Sequence, residues 1–276
     1  RSSDLFDNWN NSKILAYWKY DDATKPGKDS HSWLGRLNNI RTALQGQQGD
    51  RRLRLGIAGG EWKKMMADAT ARTRFASEVK KIIEQYDFDG VDFDFEWPAN
   101  ASEYNNYSAT VIQMRSTLGK YVYFTASLHP VSFKISPEAI DALDFISYQC
   151  YGPAVMRFPY EQFVKDGEAA VAYGIPKNKL VMGVPFYGST GSLIAAYCDF
   201  VNDGLATTNE DTYTYKGNTY TFNSIETIRK KARYVCEEDY AGIMSWDLAT
   251  DIDITNNKSL LKVIKEEFEY YANPTE

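Results

Sequence analysis

The chain has 276 residues, with 31 Lys and Arg against 37 Asp and Glu, a formal charge of -6 and no basic block, which argues against a nucleic-acid partner. With 43% hydrophobic and 25% charged residues it can bury a sizeable core, so disordered and fibrous classes are excluded, and no apolar run approaches the ~20 residues of a membrane span. Two His, His31 and His129, and three widely spaced Cys, Cys150, Cys198 and Cys236, offer neither a zinc ligand set nor a disulfide framework or redox motif. No metal or cofactor is implied, and at most one disulfide bridge is available. Arg1 in place of Met reads as a mature or truncated chain.

Short apolar runs alternate with stretches of helical period, the pattern of βα units around a parallel sheet. In chain order the expected strands are Lys13 to Trp18, Leu53 to Ala58, Phe88 to Trp97, Tyr121 to Leu128, Leu143 to Tyr151, Lys179 to Tyr187 and Ala241 to Asp247. Helical spacing joins Phe75, Val79, Ile82, Ile83 and Tyr86, then Ile225, Ile228, Ala232 and Val235, then Leu260, Leu261, Ile264 and Phe268. Seven strands in a chain of this length suggest an α/β fold, a (β/α)₈ TIM barrel, which typically takes ~250 residues. The second strand is not evident. Between Tyr20 and Arg51 only Leu34, Leu37, Ile40 and Leu44 stand out, at helical spacing. An irregular strand, an incomplete barrel and a missing piece of the natural chain all fit that gap. The chain reads as one domain, 1–276, with an insertion at 188–223 on the C-terminal face. Within it Tyr213 to Phe222 forms two alternating runs around Lys-Gly-Asn, a β-hairpin pattern before the last strand.

The run Phe88-Asp-Gly-Val-Asp-Phe-Asp-Phe-Glu-Trp-Pro98 carries the chemistry. Side chains alternate along a strand, so Asp92, Asp94 and Glu96 face one way and Val91, Phe93 and Phe95 the other. Carboxylates spaced roughly 6–7 Å apart in a low-dielectric interior repel one another, so at least one keeps its proton to higher pH and the group titrates together. Glu96, nearest the C-terminal mouth, is the candidate for the carboxylic acid kept protonated to serve as general acid. The row could alternatively supply oxygen ligands to a divalent cation, though from one strand without His or Asn support. An exposed acidic edge strand would lack the Val, Phe and Phe on its other face.

Asp89-Gly-Val-Asp92-Phe-Asp94-Phe-Glu96 is similar to the D-G-x-D-x-D-x-E signature of the family 18 glycoside hydrolases, which include chitinases and endo-β-N-acetylglucosaminidases. The resemblance extends to Gly59-Gly60, Tyr148-Gln-Cys-Tyr151, Gly183-Val-Pro-Phe-Tyr187 and Met244-Ser-Trp246, each at the end of an expected strand. It implies retaining hydrolysis of β-1,4-N-acetylglucosamine linkages in chitin or related glycans without an enzyme nucleophile, the substrate's 2-acetamido oxygen attacking instead. In that pattern Glu96 protonates the leaving oxygen and later activates water. Asp94, sharing a proton with Asp92, orients the acetamido group. Tyr151 bonds the acetamido carbonyl, and Trp246 floors the sugar site. Gln149, Tyr17, Tyr187 and Trp97 are further candidates for contact with the sugar.

The chain departs from the family pattern in two places. Ile57-Ala58-Gly59-Gly60 lacks the serine of S-x-G-G, and Gln149-Cys150-Tyr151-Gly152 stands where many chitinases have M-x-Y-D. Residues 188–223 are also few for the insertion domain of processive chitinases, which predicts a shallower cleft. The resemblance leaves an endo-β-N-acetylglucosaminidase acting on N-glycans and a non-catalytic chitin-binding lectin as alternatives. The expected partner is an oligo- or polysaccharide containing N-acetylglucosamine, and a polymeric substrate implies a secreted, periplasmic or cell-surface location.

Overall fold

The computed structural model describes residues 33–45, 52–59, 62–152, 154–205 and 209–273. The expected strand at Lys13 to Trp18, with Tyr17, lies outside the described residues, as do His31 and Gly60. The chain divides into two compact units, Arg1–Ser127 with Lys134–Asp144, and Leu128–Phe133 with Phe145–Glu276. Each alternates parallel strands with helices, the α/β pattern that the sequence predicts.

The first unit runs α1 (Trp33–Leu44), β1 (Arg54–Ile57), α2 (Trp62–Ala67), α3 (Ala69–Tyr86), β2 (Gly90–Phe93), α4 (Ala101–Leu118), β3 (Tyr123–Leu128, its last residue counted with the second unit) and α5 (Pro137–Ala142). The spacing of Leu34, Leu37, Ile40 and Leu44 is that of α1, and among the described residues the interval from Tyr20 to Arg51 holds this helix and no strand. β2 lies between β1 and β3, parallel to both, in a register that aligns Gly56, Asp92 and Thr125. Helix α3 starts where Asp68 Oδ1 accepts the Ala71 amide at 2.7 Å, and α4 where Asn100 Oδ1 accepts that of Glu103 at 3.0 Å. The spacing read from the sequence buries Phe75, Val79, Ile82, Ile83 and Tyr86 along α3.

The core of this unit is aromatic. Phe93 meets Phe124 with ring centroids 4.8 Å apart, Phe95 at 5.2 Å and Phe75 at 5.9 Å, and Trp62 closes on Phe95 at 5.9 Å. Phe75, Phe93, Phe95 and Phe124 are fully buried. Each such side chain contributes about 1.5–3 kcal/mol by leaving water, and tilted or edge-on pairs add about 0.5–1.5 kcal/mol.

The second unit contains β4 (Phe145–Tyr148), α6 (Tyr160–Tyr173), β5 (Leu180–Pro185), β6 (Tyr187–Ser189), β7 (Ile194–Ala196), α7 (Tyr197–Asn202), β8 (Thr212–Tyr215), β9 (Asn218–Thr221), α8 (Ile225–Glu237), β10 (Gly242–Trp246) and α9 (Leu260–Ala272). β5 lies between β4 and β10, parallel to both. The expected strand from Lys179 to Tyr187 is divided at Phe186, whose amide donates to the Trp246 carbonyl at 2.8 Å while its carbonyl accepts the Tyr197 amide at 3.1 Å. Beyond it β6 joins a separate antiparallel sheet, in the order β7-β6-β9-β8. The expected hairpin is β8 and β9, turning on Lys216 and Gly217, both at positive φ, as a two-residue hairpin turn requires. The insertion is larger than that hairpin. Four strands close over Phe200, which meets Tyr213, Tyr220 and Phe222 at 5.5 Å and Tyr215 at 5.7 Å. All three cysteines are free thiols.

Two glycines of the first unit make a controlled comparison. A Cβ on Gly90 would lie 2.1 Å from the Tyr123 carbonyl oxygen and 2.6 Å from Tyr123 Cβ, whereas one on Gly56 would meet nothing within 4 Å among the described residues. Gly90→Ala is expected to cost on the order of 1–3 kcal/mol of unfolding free energy in urea, with Gly56→Ala within about 0.5 kcal/mol of wild type. Equal midpoints for the two variants would remove the close approach as the reason for glycine at position 90.

Candidate active site

The acidic row is built by β2 and the residues just beyond it. Regular pairing ends at Phe93, with a last bond from the Asp94 amide to the Ile57 carbonyl at 2.8 Å, so the expected strand from Phe88 to Trp97 is shorter than its pattern. The alternation nevertheless continues. Val91, Phe93 and Phe95 are buried, while Asp92 and Asp94 are half-buried and Glu96 is exposed. Pro98 and the Asn100 cap then begin α4. The turn between is held by Glu103, whose Oε2 accepts the Ala99 amide and the Lys63 ammonium, both at 2.8 Å. The Lys63 bond first and the Ala99 amide second hold the Glu103 carboxyl below its usual range.

The first two residues of the motif are structural. Asp89 Oδ2 accepts the Leu53 amide at 2.6 Å, its own amide donates to the Leu53 carbonyl at 2.9 Å, and its carbonyl accepts the Tyr123 amide at 3.0 Å. Asp89 thus fixes the entry to β2 between its neighbours, and Gly90 permits the close approach of β3.

Asp92, with 17% of its side chain exposed, is surrounded by donors that sequence reading missed. The Thr125 hydroxyl donates to Oδ1 in a short bond, the Ser127 hydroxyl donates to Oδ2 at 2.8 Å, and the Arg54 guanidinium lies 3.4 Å from Oδ1 and also donates to Thr125. The signal was available, because Thr125 and Ser127 alternate within an otherwise apolar strand and Arg54 stands between Leu53 and Leu55. Burial dominates and raises the Asp92 carboxyl above its usual range, with the Thr125 bond, the Arg54 charge and the Ser127 bond pulling it back only in part. Beneath lies Tyr107, fully buried; burial first, then the charges of Asp92 and Asp94, push its hydroxyl well above the usual range. Its oxygen has no hydrogen-bond partner among the described residues. Among those residues no group of three or more His, Cys, Asp or Glu is arranged to hold a metal ion.

In the second unit the candidates Gln149, Tyr151, Tyr187 and Trp246 gather at strand ends. β4 ends at Tyr148, shorter than the expected Leu143 to Tyr151, and Gln149 is buried, its amide donating to the Leu128 carbonyl at 2.8 Å. The Tyr151 hydroxyl donates to Met244 Sδ at 3.5 Å, and its ring meets Tyr187 edge-on at 6.4 Å. A Cβ on Gly183 would sit 2.8 Å from the Tyr151 ring and 2.7 Å from the Tyr148 carbonyl oxygen, so glycine on β5 makes room for that ring. Trp246, at the end of β10, exposes 53% of its surface, an unusual disposition for the largest apolar side chain. Trp97, in the first unit, is half-buried.

The family model described as glycosyl hydrolases family 18 matches residues 6–251. A probable chitinase from Drosophila melanogaster is 23% identical over 79% of this chain, which spans 60% of that relative's length. The crystal structure of a chitinase from Bacteroides thetaiotaomicron superposes with a TM-score of 0.73 at 23% identity, covering 87% of this chain and 82% of its own. A chitinase-like agglutinin from Robinia pseudoacacia superposes at 0.64 and 18% identity, over 78% of this chain and 81% of its own, so one fold is shared by proteins named for hydrolysis and for binding. The chain belongs to glycosyl hydrolase family 18.

Proposed function

We propose that this chain is a retaining, chitinase-like glycoside hydrolase that cleaves β-1,4 bonds after N-acetylglucosamine by substrate-assisted catalysis. The observation that carries the reading is the complete acidic row, half-buried at Asp92 and open to solvent at Glu96. Glu96 protonates the departing glycosidic oxygen as the 2-acetamido oxygen of the same sugar attacks the anomeric carbon, giving an oxazolinium-like intermediate. Water, deprotonated by Glu96, then opens it with net retention. Asp94 orients the acetamido N–H and stabilises the positive charge. Asp92, held in its nest of hydroxyls and raised by burial, shares a proton with Asp94 and limits the charge of the row. Tyr151 holds the acetamido carbonyl for attack, while Trp246 stacks on the sugar's apolar face, and Gln149, Tyr187 and Trp97 are further candidates for contact with the sugar. The chain acts as one catalytic unit on chitin, chitooligosaccharides or a related glycan outside the cytoplasm. An endo-β-N-acetylglucosaminidase acting on N-glycans is the nearest alternative, and incubation with chitooligosaccharides beside a high-mannose glycoprotein separates the two.

The presence of Glu96 favours catalysis over binding alone, as in a lectin. Glu96→Gln is expected to lower kcat on chitooligosaccharides by on the order of 10²–10⁴-fold with binding by calorimetry nearly unchanged, and wild-type turnover in this variant would overturn the assignment. Proton NMR of the first product should show the β-anomer, an α-anomer pointing to inversion. The Asp92 nest gives a third expectation. Because burial raises its native pKa above the unfolded value, this carboxyl's contribution to stability is complete below the ordinary range near 3.8 and is lost as pH rises through the native value. The unfolding free energy of wild type relative to Asp92→Asn should therefore fall as pH rises out of the acid range; a difference independent of pH would remove the raised carboxyl.

A further inference from the structure

The segment that carries Tyr151 is irregular, and its buried carbonyls face side chains rather than strands. β4 ends at Tyr148, and the carbonyls of Tyr151 and Gly152 both meet Nε2 of His129, at 2.9 and 2.7 Å. His129 is fully buried just past β3, in a turn closed by the Ser132 amide donating to its carbonyl at 2.6 Å. Its other ring nitrogen is also engaged, because Nδ1 lies 3.2 Å from the Val131 amide and accepts from it. An Nδ1 that accepts an N–H carries no proton, so the hydrogen is on Nε2 and is directed at the two carbonyls. Burial first holds the imidazole neutral, its basicity below the usual range. The Tyr151 and Gly152 carbonyls and Asp166 favour its protonation and Arg157 opposes it.

We propose that His129 is a positioning residue for Tyr151, fixing the main chain at the tyrosine and so the place of its hydroxyl, and that the neutral Nε2–H tautomer is the working form. The inference rests on the reading of Tyr151 as the group that holds the acetamido carbonyl. The hydroxyl is seven bonds from the main-chain carbonyl along a side chain whose ring is already confined by Gly183 and Tyr187. A shift of the carbonyl is thus carried to the hydroxyl rather than absorbed by another rotamer. His129→Ala would leave two buried carbonyls and the Val131 amide without these partners, and they could be satisfied only by movement of the segment or entry of water.

The test is a double-mutant cycle on chitooligosaccharide hydrolysis with His129→Ala, Tyr151→Phe and the pair together. His129→Ala is expected to lower kcat by about 10²-fold with little change in KM, as misplacement of a positioning group does. In the Tyr151→Phe background the same change should have almost no further effect. His129→Gln, which keeps an N–H donor and an acceptor, should recover most of the lost kcat. Should His129→Ala fail to fold, His129→Leu, which has neither a donor nor an acceptor, takes its place in the cycle. Equal losses in both backgrounds, or unchanged kcat in the alanine or leucine variant, overturn the role of His129 alone. A wild-type kcat for Tyr151→Phe overturns the reading of Tyr151, and with it this proposal.

Discussion

The structure around the acidic row depends on the packing of Phe93 and Phe95 against Phe75, Phe124 and Trp62. These rings occupy one face of the strand, and since side chains alternate, every carboxyl of the row must leave by the other. A register slip of one residue would place Asp92 and Asp94 among the rings and both phenylalanines on the polar face. Two phenylalanine burials at about 1.5–3 kcal/mol each, lost together with the cost of desolvating two carboxylates, make that alternative inaccessible. The aromatic face aims the acids, which explains why the alternation survives past Phe93, where the sheet hydrogen bonds stop.

The acids differ in their surroundings, although the motif makes them chemically alike. Asp92 is beside β3 and receives two hydroxyls and an arginine, Asp94 is half-buried, and Glu96 stands in solvent where the chain turns towards α4. Solvation thus changes along the row, and environments that push like groups apart are what separate a proton-holding member from a charged one. Arg54 is part of that balance. It lies close enough to Asp92 to offset some of the burial, yet it bonds Thr125 as well, so its charge is shared.

Much of this was legible in the sequence because it rests on period and on short motifs. The two-fold alternation of β2, the 3.6-fold spacing of α3, α8 and α9, and the Lys216-Gly217 turn appear where the pattern puts them. What was not legible depends on contacts between segments distant in sequence. Three-residue strands such as β6 and β7 have no measurable period, and they exist because Phe186 is drawn to the Trp246 carbonyl and the sheet closes over Phe200. Thr125 and Ser127 are brought to the row only by the register, which places Thr125 beside Asp92. His129 was read only as a poor metal ligand, whereas its role lies in its bonds to the backbone near Tyr151.

Several buried polar groups of the second unit serve the segment after β4. A strand satisfies its carbonyls through its neighbours, but the residues from Gln149 to Gly152 form no regular strand and are buried, as is Phe158. Donors must therefore come from side chains. His129 serves the carbonyls of Tyr151 and Gly152, while the carbonyl of Phe158 accepts the Asn223 amide at 2.8 Å and the Lys231 ammonium at 2.7 Å. Lys231 is fully buried, and burial lowers it to about 7, so the fold gives up much of the stability of an exposed charge to place that amine. Arg157 and Asp166, paired at 2.8 Å, add a charged contact within the same region. An apolar interior would be the cheaper arrangement if the segment were only a connection. Supporting an irregular backbone with buried imidazole, amide and ammonium groups makes sense where the irregularity is needed, and here it delivers Tyr151 beyond the end of its strand.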